Sequence, residues 1–227
     1  MIEKYCLSKG SLGCDFEIDI IASQNGGGPF FIEHYLSKKQ YIEKLTPTDS
    51  VMEMCSGPGY MGYYLANEFN LSRAEFCDIN PLVEESHLSN QNNNLPFDIN
   101  FTQGSAFDNY SNDPVDLIIL NPPHLVSEKD YVDIVKAVPE YFPTGTLLQR
   151  RQNKLVLLDK DFKFHLDFCG DAYENLTANG QIAFLENEKY IPHSRLEKAL
   201  GDRYSYEFIQ TQEHLIEGYY LLIATKI

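Results

Sequence analysis

From Val51 onward the chain alternates short apolar runs with stretches whose apolar residues recur every three or four positions. Val51-Met52-Glu53-Met54-Cys55 reads as a strand entering Ser56-Gly57-Pro58-Gly59, and Tyr60–Phe69 as the helix after it. Ala74–Cys77 predicts a second strand that ends at Asp78, and Leu82 to about Asn92 a second helix fading into a polar run. Ile99–Thr102 predicts a third strand. Val115–Leu120 predicts a fourth, and its near-continuous apolar character places it between two covered faces. Tyr131–Val138 reads as a helix, Asp161–Leu176 as a long amphipathic one stopped near Asn179-Gly180, and Gln181–Leu185 as a fifth strand. Ser194–Leu200 is a short helix stopped by Gly201, and Tyr204–Gln210 and Tyr219–Thr225 form a closing strand pair. This alternation predicts an α/β fold. Its sheet is doubly wound, Rossmann-like, seven-stranded and mostly parallel, with an antiparallel C-terminal edge hairpin.

The first part of the chain is different. Residues 1–28 show no clear periodicity, and Gly26-Gly27-Gly28-Pro29 punctuates their end. Phe30–Leu45 places Phe31, Tyr35, Ile42 and Leu45 near helical spacing and predicts one helix. The chain therefore divides into an N-terminal extension over 1–48, read as a cap or substrate element, and a main domain over 49–227. Pro139–Lys160 carries Arg150, Arg151 and Lys154 and reads as an insertion or lid.

Charge narrows the class of partner. Lys and Arg number 18 against 33 Asp and Glu, a net charge of −15. Phosphate backbones are held mainly by Lys and Arg, so an avid nucleic-acid binder is disfavoured. No apolar run reaches the length of a membrane helix, and the N-terminus lacks the apolar stretch of a secretory signal. Cys6, Cys14, Cys55, Cys77 and Cys169 are odd in number and include no CxxC, which predicts free thiols in a reducing cytoplasm and no thiolate metal site. The scattered histidines have no metal-ligand spacing, and Asp159, Asp161 and Asp167 read as a solvated helix start.

Two turns carry candidate chemistry. In Glu53–Gly59 the glycines let backbone approach a ligand, and the helix beyond offers free N–H groups. Asp78, at the end of the next strand, can accept hydrogen bonds from both hydroxyls of a ribose. Asn121-Pro122-Pro123-His124 follows the fourth strand directly. Two prolines fix that backbone and leave carbonyls free, so an Asn carbonyl and a backbone carbonyl can hold an –NH2 group and aim its lone pair. His124 can stack on a planar substrate.

Further segments extend the pattern: Cys77-Asp78-Ile79-Asn80-Pro81, Gln103-Gly104-Ser105-Ala106-Phe107, and Leu176 to Glu186. Together these resemble the class I S-adenosylmethionine (SAM)-dependent methyltransferases from about Val51 to the C-terminus. The Asn-Pro-Pro-aromatic motif is similar to that of the N-methyltransferases, above all the release-factor glutamine N5-methyltransferases and next the adenine-N6 enzymes. The resemblance implies SAM as cofactor and no metal. It implies that Glu53, Gly57 and Gly59 hold the methionine part, Asp78 the ribose, and Ser105 and Ala106 border the adenine, with Cys55 and Ile79 also among the cofactor-binding residues. It implies that Asn121 and the carbonyl of Pro122 hold the acceptor nitrogen, next to the cofactor, with His124 completing the catalytic set. Three residues depart from the family pattern. Cys55 replaces a glycine, Ser105 a frequent Asp, and His124 the usual Tyr or Phe.

The function expected is SAM-dependent methylation of an amide or amino nitrogen of a protein or small molecule. The first alternative is an adenine-N6 methyltransferase acting on RNA or DNA, and the second a SAM-binding partner subunit without turnover. The intact Asn121-Pro122-Pro123 favours an enzyme, since a non-catalytic subunit has no need of an acceptor clamp.

Overall fold

The computed structural model describes residues 2–7, 16–21, 31–137, 154, 157–210 and 218–227. Strands β3 (Ser50–Met54), β4 (Arg73–Asp78), β5 (Asp98–Gln103), β6 (Val115–Leu120), β7 (Leu176–Asn187), β8 (Tyr204–Gln210) and β9 (Tyr219–Lys226) make one seven-stranded sheet. Its order is β5-β4-β3-β6-β7-β9-β8. The strands from β5 to β7 run parallel, and β9 pairs antiparallel with both β7 and β8. This is the expected architecture.

The pleat explains why the central strands are apolar throughout. Successive side chains of a strand point to opposite faces. Val51, Leu117 and Ile119 enter one core layer; Met52, Met54, Ile118 and Leu120 enter the other. The first layer is covered by α2 (Tyr60–Glu68) and the N-terminal residues, the second by α5 (Lys163–Asp171) and α6 (His193–Leu200). With helices on both faces, no position of β3 is exposed. The winding reverses between β3 and β6, so the carboxyl ends of β3, β4 and β6 open a crevice where such sheets bind ligands.

The N-terminal residues add an element that periodicity did not reveal. β1 (Ile2–Leu7) and β2 (Phe16–Ile21) pair as an antiparallel two-stranded sheet. It docks on α3 (Glu84–Asn90). Asp19 N–H donates to the Asn90 side-chain oxygen at 2.7 Å, and the Asn90 amide donates back to the Asp19 carbonyl at 2.8 Å. Tyr5 meets Tyr60 edge-on with ring centres 4.8 Å apart. In place of one helix over 30–45 stand a π-helical turn, Ile32–Leu36, and a separate four-residue helix, α1 (Lys39–Ile42). Ser37 and Lys38 divide them, and Lys38 has extended backbone.

Two boundaries also differ. The helix expected over Asp161–Leu176 is shorter, and β7 starts at Leu176 rather than Gln181. Asn179 takes a left-handed φ of 62° inside that strand, which makes the Asn-Gly pair a local irregularity rather than a helix stop. The register of β6 against β7 shifts at the same level. α4 (Glu128–Ala137) follows β6. Most of the segment read as an insertion or lid, with Arg150 and Arg151, lies outside the described residues. Lys154 pairs with Glu128 at 2.5 Å. Cys6 is exposed, whereas Cys77 and Cys169 are buried free thiols; Cys14 lies outside the described residues.

Candidate active site

The crevice is a cavity of about 630 Å³, a size suited to a small cofactor. The β3–α2 turn brings Glu53, Cys55 and Gly57 to its wall, the end of β4 brings Asp78 and Ile79, and the loop after β5 brings Ser105 and Ala106. The end of β6 brings Asn121, Pro122 and His124. Gly59 is the exception among the expected residues: it sits beneath the loop. Its φ is +82°, and a Cβ there would meet His87, Phe76 and Tyr63 at 2.7–2.8 Å. Its requirement for glycine comes from packing.

The turn is held by hydrogen bonds from neighbouring elements. Asp78 accepts from Gly57 N–H and Asn80 N–H, both at 2.8 Å. Burial raises its pKa despite these bonds. Buried His87 holds the Gly57 carbonyl through Nε2 at 2.9 Å and bonds the Tyr63 hydroxyl through Nδ1, also at 2.9 Å. Burial pulls its pKa down to about 4, so the ring is neutral. Nε2–H then donates to Gly57, and Nδ1 accepts from Tyr63. Sequence reasoning gave His87 no role; its signal, a histidine one helix beyond the glycine turn, has no fixed spacing.

Glu53 is 2% exposed and accepts Gly62 N–H at 2.6 Å. Burial pushes its pKa up to about 8, against the pull of the backbone N–H groups. A Cβ on Gly62 would stand 2.6 Å from Phe76 and 3.1 Å from the Glu53 side chain, so that glycine makes room for the acid.

Cys55 and Ala106 both carry positive φ, 56° and 50°. Left-handed backbone costs roughly 1–2 kcal/mol per non-glycine residue, and both strained residues face the cleft. Burial, with Asp78 nearby, pushes the Cys55 thiol well up, so it is not a poised nucleophile. Cys55→Gly is expected to stabilise the fold by about 1 kcal/mol, a rise of roughly 2–4 °C in melting temperature. Calorimetric melting measures it; an unchanged or lower midpoint contradicts the strain.

A second set of polar groups lies behind His124. Its Nδ1 is 2.8 Å from Glu186 Oε2. Glu186 Oε1 is 2.6 Å from His165 Nε2, and His165 Nδ1 is 2.6 Å from Asp159 Oδ2. Glu186 and His165 are wholly buried and Asp159 is 4% exposed. Burial opposes a charged His165, yet Glu186 and Asp159 outweigh it and raise its pKa. Burial likewise opposes a charged Glu186, and His124 and His165 hold it below the usual carboxylate value. Asp159 is thus not part of a solvated helix start. It accepts the Phe164 and His165 N–H groups at 2.7 and 3.2 Å and lines the cleft.

The chain is similar to methyltransferases in sequence and in fold. Residues 35–141 match the family described as the methyltransferase small domain. The Fusobacterium nucleatum "Release factor glutamine methyltransferase" is 28% identical over 136 residues, covering 60% of this chain. The chain spans only about a third, 36%, of that relative's length. Among solved structures, a Thermus thermophilus 16S rRNA N2 G1207 methyltransferase in complex with AdoMet and guanosine aligns at a TM-score of 0.63, with 14% identity over 100% of this chain and 51% of its own. A Pyrococcus furiosus methyltransferase aligns at 0.56, again at 14% identity, over 87% of this chain and 80% of its own. The fold is that of the methyltransferases it aligns with. The lining of the cleft fits S-adenosylmethionine. Buried Glu53 and half-buried Asp78 stand at the ends of adjacent strands, one suited to a cationic amine and the other to hydroxyls. Ile79 and Leu82, 55% and 47% exposed, give an apolar shelf beside them. Among the described residues no helix is long and apolar enough to cross a membrane.

Proposed function

We propose that the chain is an N-methyltransferase acting on an amide or amino nitrogen of a protein or small molecule. The observation that carries this reading is Asn121-Pro122-Pro123-His124 at the carboxyl end of β6, lining the same cleft as Glu53 and Asp78. SAM supplies an activated methyl on a cationic sulfur, so the protein's task is orientation. Asp78 accepts from the ribose, and Glu53 faces the cationic amino acid part. Asn121 Oδ1 and the Pro122 carbonyl accept the hydrogens of the acceptor nitrogen, which turns its lone pair toward the methyl. The rigid Pro-Pro backbone keeps those acceptors fixed, and fixed geometry is what lowers the barrier in such reactions. The name of the Fusobacterium relative supports a protein acceptor.

Incubation of the chain with labelled SAM and a lysate, fractionated into protein, RNA, DNA and small molecules, tests the reading. Label is expected in protein or small molecules. Label confined to RNA or DNA overturns it in favour of the adenine-N6 alternative. No transfer beside measurable SAM binding favours a non-catalytic subunit. The cofactor assignment is tested separately. Asp78→Ala is expected to weaken SAM binding by roughly 1–3 kcal/mol, the range for hydrogen bonds to a charged acceptor, or about 5- to 150-fold. Calorimetry measures it, and unchanged affinity rejects the ribose contact.

A further inference from the structure

Asp159, His165, Glu186 and His124 form one unbroken chain of contacts from the core to the acceptor side of the cleft. Its three links are 2.6, 2.6 and 2.8 Å. We propose that His124 is a general base aimed at the acceptor nitrogen, and that the substrate is an aliphatic amine that arrives as its ammonium ion. This rests on the N-methyltransferase reading and narrows it.

The tautomer of His124 follows from its partner. Glu186 is buried and ionised, an acceptor only, with one oxygen bonded to each histidine. His124 must therefore place a proton on Nδ1, which leaves Nε2 as the acceptor. A carboxylate that fixes an imidazole in this way is the recurring device for turning the far nitrogen into a base.

Charge arithmetic points the same way. Asp159 and Glu186 each contribute one negative charge, and the imidazolium of His165 between them cancels one. With His124 neutral the cluster keeps one buried negative charge; a proton arriving at His124 neutralises it. The other group against the His124 ring is Tyr219, edge-on at 5.6 Å, and its hydroxyl keeps its proton because burial pushes its pKa up. Among the described residues no Lys or Arg lines the cavity.

The number of acceptors then selects the substrate. A carboxamide or an exocyclic base amine has two hydrogens on nitrogen, and Asn121 Oδ1 with the Pro122 carbonyl accounts for both. A third acceptor is superfluous for them. An alkyl ammonium has three hydrogens and no lone pair, so one proton must leave before it can react. His124 Nε2 takes that proton. The freed lone pair forms the new C–N bond, and the C–S bond breaks with its electrons left on sulfur. The products are the N-methyl ammonium, S-adenosylhomocysteine and one proton that His124 returns to water. The acidity of the chain suits such a substrate. A net charge of −15, with Asp78 and Asp159 on the cleft wall, draws cations toward the site.

Three measurements test the proposal. The first is side-chain nitrogen NMR of the histidines in the SAM-free protein, with His124→Gln to assign the signal. The neutral His124 ring is expected to carry its proton on Nδ1 in the wild type and to lose that preference in Glu186→Gln. A proton on Nε2 in the wild type overturns the base assignment, whether or not Glu186→Gln folds. The second is hydrolysis of the labelled product from the lysate reaction. Label is expected in a non-volatile N-methyl amine, in the protein arm for a lysine or terminal amine and in the small-molecule arm for a free amine. Release of volatile labelled methylamine marks an amide, and label on a nucleobase marks an exocyclic amine. Either overturns the amine assignment while leaving N-methylation standing. Label on oxygen, carbon or sulfur removes the underlying reading as well. On the true acceptor, His124→Gln is expected to lower kcat by roughly 10²- to 10⁴-fold with SAM affinity unchanged; equal loss in both instead marks a structural role.

Discussion

Asn121→Ala is expected to lower turnover by about 10²-fold or more while SAM affinity stays near that of the wild type. The asymmetry is the point. Asn121 stands at the end of β6, across the cleft from Asp78, which the ribose assignment needs. Its loss removes the aim of the acceptor nitrogen and leaves the β3 and β4 contacts in place. Misplacement by about 1 Å is enough for a hundredfold loss when reacting groups must be aligned. Single-turnover kinetics with saturating SAM, beside calorimetry, separates the two quantities. A fall in kcat with unchanged binding marks an interaction made in the transition state. Normal turnover on the true substrate would show that the clamp is not used.

Glu53→Gln is expected to move binding and stability in opposite directions. The carboxyl has a pKa of about 8 in the fold, against an ordinary value of 4.5. The sign follows from proton counts. Below pH 4.5 both folded and unfolded chains hold the proton, and Glu53 costs nothing. Between 4.5 and 8 the unfolded chain releases it and the folded one does not, so stability is lost as pH rises. At about 1.4 kcal/mol per unit this reaches the order of a few kcal/mol by pH 8. Gln has no such dependence, so the variant is expected to melt increasingly above the wild type from pH 5 to 8. Its SAM affinity is expected to fall about 10- to 150-fold at pH 8, because the cationic amine loses an ionised partner worth roughly 1.5–3 kcal/mol. In the wild type, binding at pH 7 should release a proton, visible as a heat that depends on the buffer. Equal melting curves at pH 5 and 8 would contradict the raised pKa.

The order and kind of elements from β3 onward are legible because the central strands β3, β4 and β6 are buried on both faces and end at a glycine, aspartate or proline turn. The cleft wall is legible for the same reason, since Glu53, Gly57 and Asp78 lie at strand ends that the alternation locates. β1 and β2 are not legible. Their partner is a helix some seventy residues away, reached through Asp19 and Asn90, and no local pattern records that. The polar support is equally hidden. His165 and Glu186 read as ordinary helix and strand residues because their roles arise from α5 packing over β7, and Asp159 looks solvated until α5 buries it. Gly59 shows the opposite error: it sits in the expected motif, yet its glycine is demanded by Phe76 and His87 beneath the turn.

The position of β9 sets an order on folding. It lies inside the sheet, between β7 and β8, although it is the last strand in sequence. β8 therefore has no neighbour to join until residues 219–226 have been made, and β7, which carries Glu186, waits with one edge open. During synthesis the glycine turn and Asp78 can assemble around β3 and β4 well before the acceptor side gains its backing. An unpaired apolar edge in a slow-closing sheet invites association with other chains. Premature stops before residue 219 should thus leave insoluble fragments rather than weak enzymes.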